Sequence, residues 1–192
     1  MIRALLCLLL ALCAARAQAA PEARSRTIVE ADGSRTLVVE VEIKAPAADV
    51  WKAISTPEGW QGWAVPLART VEGEPDMIET SYDPAAPPGG PGTIRQLFLA
   101  RIPGRLLAFR TVKAPAGFPD FDTYGRVVSV FELEPRGDRT TFVRLSAHPY
   151  PDTEAGRRLI GFFERGNRAS LDMLRRRFAE GPADWSKERL SK

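Results

Sequence analysis

Cysteine is nearly absent. Only Cys7 and Cys13 occur, and both fall in the apolar N-terminal run. The rest of the chain therefore has no disulfide framework, thiol nucleophile or cysteine metal site. Histidine is equally scarce: His148 stands alone, so carboxylates would have to supply any further metal ligands. Neither D-x-D-x-D-G nor H-E-x-x-H spacing is present, and no metal or other cofactor is implied. No G-x-S-x-G elbow offers a nucleophilic serine. Charge of one sign is lacking too. The formal net charge is +3, and setting aside Arg3 and Arg16 of the N-terminal run lowers 27 basic residues to 25, against 24 acidic ones. That balance argues against a nucleic-acid partner, whose binding usually leaves a strongly basic face.

The chain opens as an export signal. Met1-Ile2-Arg3 is a short basic start, and Ala4 to Ala15 is an apolar run too short for a stable bilayer span. Ala17-Gln18-Ala19 supplies the small-x-small pattern of a cleavage site, after Ala19 or Ala20. A lipoprotein reading is disfavoured because Leu12 precedes Cys13 where a small residue is expected. The expectation is a signal peptide over residues 1–19 and a product secreted across the inner membrane into the periplasm. No stable membrane span remains after cleavage. Removing 19 of 192 residues leaves 173, which suits one domain over residues 20–180 and a polar tail over 181–192.

Two β-rich runs, Arg26 to Glu30 and Thr36 to Lys44, flank Asp32-Gly33, a hairpin signal. Val39, Val41 and Ile43 alternate with Glu40, Glu42 and Lys44, the pattern of a half-buried antiparallel strand. Pro46 begins a helix with Val50, Trp51 and Ile54 on one stripe, and Thr56-Pro57-Glu58 starts a second, short one. Three of the four tryptophans, Trp51, Trp60 and Trp63, are thereby delivered to one place. Such a cluster builds the wall of a core or of an apolar cavity.

Further strands are expected at Leu67 to Val71, Met77 to Tyr82, Thr93 to Ile102, Arg105 to Lys113, Tyr124 to Glu134 and Thr140 to Ala147. In Thr93 to Ile102 the inward parity is open: Ile94, Phe98 and Ile102 compete with Leu97 and Leu99. Asp83 to Gly92 and Ala114 to Thr123 are loops and the best lid candidates. Asp152 or Thr153 caps a long helix that Gly181-Pro182 ends. Ile160, Phe163, Asn167, Leu171, Leu174 and Phe178 share one of its faces, and arginines crowd the other. Glu164, Asp172 and Glu180 interrupt those arginines, which favours a solvated face over a membrane-binding one. The polar tail has one potential anchor, Trp185. The fold class is α+β: a curved antiparallel sheet of about six to eight strands against a long C-terminal helix, with two short helices after the first long strand.

This order of elements resembles the helix-grip fold of the START-like, or SRPBCC, superfamily. The similar branch holds polyketide cyclase/dehydratase-like proteins and homologues of the heat-shock-protein-90 ATPase activator. The resemblance is carried by Asp32-Gly33, VEIKAPAADVWKAISTPEGWQGW at 41–63, PGRLLAF at 103–109, FELEPRGDRTTFVRL at 131–145 and FFERGNRASLDMLRRRF at 162–178. It covers about Thr27 to Phe178. It implies an apolar cavity between sheet and helix, and hence a small apolar or amphipathic partner. A cytosolic co-chaperone role fits a secreted chain poorly.

On that frame the ligand-binding candidates are Trp60, Trp63, Tyr82, Phe109, Tyr124, Phe131, Phe163 and Asn167. Trp60 and Trp63 have two readings: rings and N–H groups at a cavity mouth, or core that clamps the short helices. Trp51 reads as core. Asn167 is the one polar residue on the helix's apolar face, so its amide needs a ligand or backbone partner. A second functional class, a cyclase/dehydratase-type enzyme acting on a bound carbonyl compound, needs a titratable group in the cavity. Its only candidates are Glu79, Asp83 and His148, and the alternation of the last strand turns His148 outward. Arg95 and Arg110 lie in apolar strands, either as carboxylate binders or as stems covering a wet face. A third class is an interaction module with a filled core and no ligand.

Overall fold

The computed structural model describes residues 22–187. The expected signal peptide and residues 188–192 of the tail lie outside the described residues. The first hairpin joins β1 (Arg24–Val29) to β2 (Arg35–Ile43). Gly33 turns it with φ at 83°, a conformation glycine adopts without steric cost. In β2 the side chains of Leu37, Val39, Val41 and Ile43 are buried, while Glu40 and Glu42 stay partly in water. Each apolar chain of this size contributes about 1.5–3 kcal/mol when fully buried.

Pro46 leads into α1 (Ala47–Ser55), which buries Val50, Ala53 and Ile54. Thr56 then caps α2 (Pro57–Gln61), its hydroxyl accepting the Gly59 N–H at 3.0 Å. Gly59 does more than weaken this helix. A Cβ there would lie 2.1 Å from the Lys52 carbonyl oxygen, so only glycine lets α2 close on the end of α1.

The strands β3 (Leu67–Val71), β4 (Glu74–Ser81), β5 (Ile94–Ile102), β6 (Leu106–Lys113), β7 (Val128–Pro135) and β8 (Thr141–Tyr150) follow as a meander. The single eight-stranded sheet has the order β1-β2-β8-β7-β6-β5-β4-β3, antiparallel throughout. Register shifts in β2–β8, β3–β4 and β5–β6 add local twist and bend the sheet. α3 (Phe121–Tyr124) is one turn between β6 and β7. Tyr124 therefore sits in that turn, not in the following strand, because Val128 is the first residue to pair.

The last element is α4 (Glu154–Glu180). Thr153 caps it, accepting the Gly156 N–H at 3.2 Å, and Gly181 ends it at φ 101°. Leu159, Leu171 and Leu174 are buried, and the helix packs chiefly on β2 and β8. This is the α+β helix-grip arrangement. The arginine face carries local ion pairs: Arg158 with Asp120 and Glu154, and Arg175 with Asp172. Among the described residues no helix is long and apolar enough to cross a membrane. The start of the tail is held: Trp185 donates to the Gln61 carbonyl at 2.6 Å and Ala183 to that of Gly62 at 2.9 Å.

Candidate functional site

Where α4 stands off the middle of the sheet, a cavity of about 360 Å³ remains. Its lining comes from residues far apart in sequence. Trp60 and Trp63 come from α2 and just beyond it, and Tyr82 from just after β4. Phe109 and Phe131 project from β6 and β7, Tyr124 from α3, and Phe163 and Asn167 from α4. All eight ligand-binding candidates thus border one space.

The rings form two groups. Trp60 and Trp63 lie 5.5 Å apart, Trp60 meets the edge of Phe109 at 6.2 Å, and Phe109 stacks on Phe131 at 6.0 Å. At the other end Tyr124 stacks on Phe163 at 4.2 Å, and Phe118 leans on Tyr124 at 5.4 Å. Tyr82 and Phe162, both lining, are 55% and 54% exposed, so the cavity reaches solvent at these two rings.

The tryptophan N–H groups are not free for a ligand, contrary to the cavity-mouth expectation. Trp60 donates to the Ile54 carbonyl at 2.7 Å and Trp63 to that of Ala53 at 2.9 Å. Both carbonyls lie at the end of α1, where helical partners run out. The two indoles therefore serve as clamp and cavity wall at once, offering only their faces. Both are buried, whereas Trp51, read as core, is half-buried against it.

The acid–base candidates are outside. In β4, Thr80 borders the cavity and Glu79 points through the other side of the sheet. There Glu79, itself 2% exposed, takes Arg69 and Arg95 each at 2.7 Å, the Gly89 N–H and the Thr93 hydroxyl. Burial alone would raise its pKa. The bonds from Arg95, Arg69 and Gly89 outweigh that cost and hold the carboxyl down at about 2. This cluster decides between the two readings of Arg95 and corrects one expectation. Arg95 serves Glu79 and not a ligand, and the loop over residues 83–92 is no lid. It is pinned beside the outer face through Gly89, and through Gly90, which accepts from Lys113 at 2.7 Å.

Asp83 accepts the Ala85 N–H and shapes the start of that loop. His148 is exposed on the outer side of β8, 3.1 Å from the Thr36 hydroxyl. Arg110 also borders no part of the cavity, and its Nε is buried without a partner. The other loop does reach the site, since Ala114, Pro115 and Phe118 line it. Asp120, at φ 55°, fastens that loop to α4 through two bonds from Arg158 at 3.0 and 3.1 Å.

Among the described residues, no Asp, Glu, Lys, Arg or His lines the cavity. Its titratable groups are Tyr82 and Tyr124. Burial pushes the Tyr124 phenol above its ordinary value, and the Thr111 hydroxyl bond opposes this only in part. The polar lining missed in the sequence is neutral: Thr80, Gln96, Thr111, Ser129 and Ser170. A lone glutamine or threonine in a strand carries no motif. Only the inward parity of β4 to β7 and the inner face of α4 could have found them, and in β5 that parity was ambiguous.

Residues 34–179 match the family described as polyketide cyclase / dehydrase and lipid transport. The chain belongs to this family, within the START-like/SRPBCC superfamily. Solved structures agree on the fold. A protein of Arthrobacter aurescens aligns at 17% identity and TM-score 0.63, over 88% of this chain and 98% of that one. The Aha1 dimer from Colwellia psychrerythraea aligns at 15% and 0.60, over 77% and 98%. Protein MLL2253 from Mesorhizobium loti aligns at 23% and 0.56, over 74% and 95%. A comparison with curated proteins gave no match.

Proposed function

We propose that the protein is a secreted carrier or sensor that holds one small apolar or amphipathic molecule between sheet and C-terminal helix. The carrying observation is a cavity of about 360 Å³ walled by aromatic rings and, among the described residues, free of charged side chains. Pockets that bury most of a small ligand are built this way, mainly apolar with a few placed polar groups. The export pattern in Met1 to Ala19 supports delivery outside the cytoplasm. A cyclase-type reaction finds less support, since Glu79, Asp83 and His148 all lie away from the lining. The open cavity also speaks against a filled interaction module.

The test is native mass spectrometry of protein purified from its own periplasm, then of the same protein incubated with lipid extracts. A bound small molecule in either sample is the expected result. Its absence from both counts against the carrier, and recovery from the cytosol alone counts against export.

A further inference from the structure

We infer that the cavity selects an uncharged, mainly apolar molecule bearing a hydroxyl group, and that the Gln96 amide is that hydroxyl's partner. This rests on the carrier reading and narrows it.

Gln96 projects inward from β5 and is 7% exposed. Its Oε1 is buried without a hydrogen-bond partner. Such an atom is costly, because it has given up water and gained nothing. Ser34 Oγ and Arg110 Nε are the other orphaned buried side-chain atoms among the described residues, and neither borders the cavity. Gln96 does.

The neighbours extend this into a polar strip. Thr111 faces Gln96 directly across β5 and β6, and its hydroxyl donates to the Tyr124 hydroxyl at 3.3 Å. Thr80 lies diagonally from Gln96 on β4, where Ile78 is its direct partner. The strip sits on the sheet, while rings form both ends of the space. An amide both donates and accepts, and a half-turn exchanges its two ends. A hydroxyl also does both, so it satisfies either orientation. An ether or an alkane does not.

Charged ligands lack a partner. Of the nearby cations, Arg69 and Arg95 are committed to Glu79 and Lys113 to Gly90 and Thr93, while Arg110, between the lining residues Phe109 and Thr111 on β6, alternates to the other face of the sheet. With no carboxylate in the lining, an ammonium group has no counter-charge either. Burying either ion unpaired is strongly unfavourable.

The test uses the fluorescence of Trp60 and Trp63 to follow titration with 1-dodecanol, its methyl ether, dodecanoate and dodecylammonium at neutral pH, below micelle formation. Dodecanol is expected to bind about tenfold or more tightly than the ether and than either ion. Gln96→Met, similar in shape without the amide, is expected to erase the preference for alcohol over ether. Without ligand it is also expected to melt a few degrees higher, because an orphaned polar group has gone. Equal binding of alcohol and ether by the natural protein overturns the inference and leaves the carrier intact. So does an ion that binds tightest, or a preference that survives in Gln96→Met. Should that variant fail to fold, the alcohol–ether comparison in the natural protein decides alone. If none of the four probes binds, the carrier reading falls, and the inference with it.

Discussion

Trp63 donates its indole N–H to the carbonyl of Ala53 at 2.9 Å, and the same ring walls the cavity. One residue thus couples the ending of α1 to the shape of the ligand space. Trp63→Phe keeps an aromatic wall but leaves that carbonyl without its donor. The expected loss is about 1–3 kcal/mol of stability in urea unfolding, with binding of an apolar probe largely kept. Trp63→Ala should lose about 3–5 kcal/mol and the binding as well. Similar binding by both variants would show that the wall does not matter.

Glu79 makes stability depend on acid. Its carboxyl is held at about 2 against a usual 4.5, so the folded state favours the charged form. The contribution is complete above about pH 4.5 and is lost as pH falls through 2. Its size is of order 1–3 kcal/mol. Thermal melts from pH 7 to pH 2.5 should fall steeply below pH 4.5 in the natural protein. Glu79→Gln should start lower and fall less, and proteolysis should cut residues 83–92 sooner.

Gly59→Ala would ordinarily help a helix by about 1 kcal/mol. Here the added Cβ meets the Lys52 carbonyl oxygen at 2.1 Å, so α2 must move off α1. A drop in melting temperature, with altered Trp60 and Trp63 fluorescence, is expected. A neutral or stabilising result would mean that the two helices separate without cost.

The Asp120–Arg158 pair ties the loop beside β6 to α4 on the surface. Arg158→Ala should cost less than about 1 kcal/mol in stability, since such exposed pairs contribute little. Ligand exchange, followed by stopped-flow fluorescence, should nevertheless become faster. Unchanged rates would remove the loop from the entry path.

Binding of a neutral ligand should not depend on pH between 5 and 9, because among the described residues the lining holds no carboxylate, histidine, lysine or arginine. The Tyr124 phenol, raised by burial, stays neutral throughout. His148→Ala should leave affinity unchanged. A bell-shaped profile, or loss of binding in that variant, would reopen an acid–base role.

Much of the site was legible because aromatic residues declare themselves. Eight candidates scattered from Trp60 to Asn167 converge, since helical and strand periodicity already assign most of them to an inner face. Gln96 was not legible. The register of β5 against β6 shifts between Arg95 and Gln96 and again between Phe98 and Ala100, so simple alternation breaks within one strand. Past Phe98 both parities of β5 are exposed, and Ile102, an inside candidate by alternation, is 53% exposed.

By itself the sequence determined the eight strands, the helices α1, α2 and α4, their order and both ends of the long helix, but not the turn α3. Those follow from local chemistry: alternation in β2, the caps at Thr56 and Thr153, and glycines at Gly33 and Gly181. Only the tertiary structure decided which polar groups are spent and which are free. It joined β2 to β8 across about a hundred positions, turned Glu79 outward to two arginines, and gave the tryptophan N–H groups to α1. It left the amide oxygen of Gln96, a lining residue of the cavity, without a partner. Partnership of this kind is set by pairing and packing between distant segments, which no local pattern encodes.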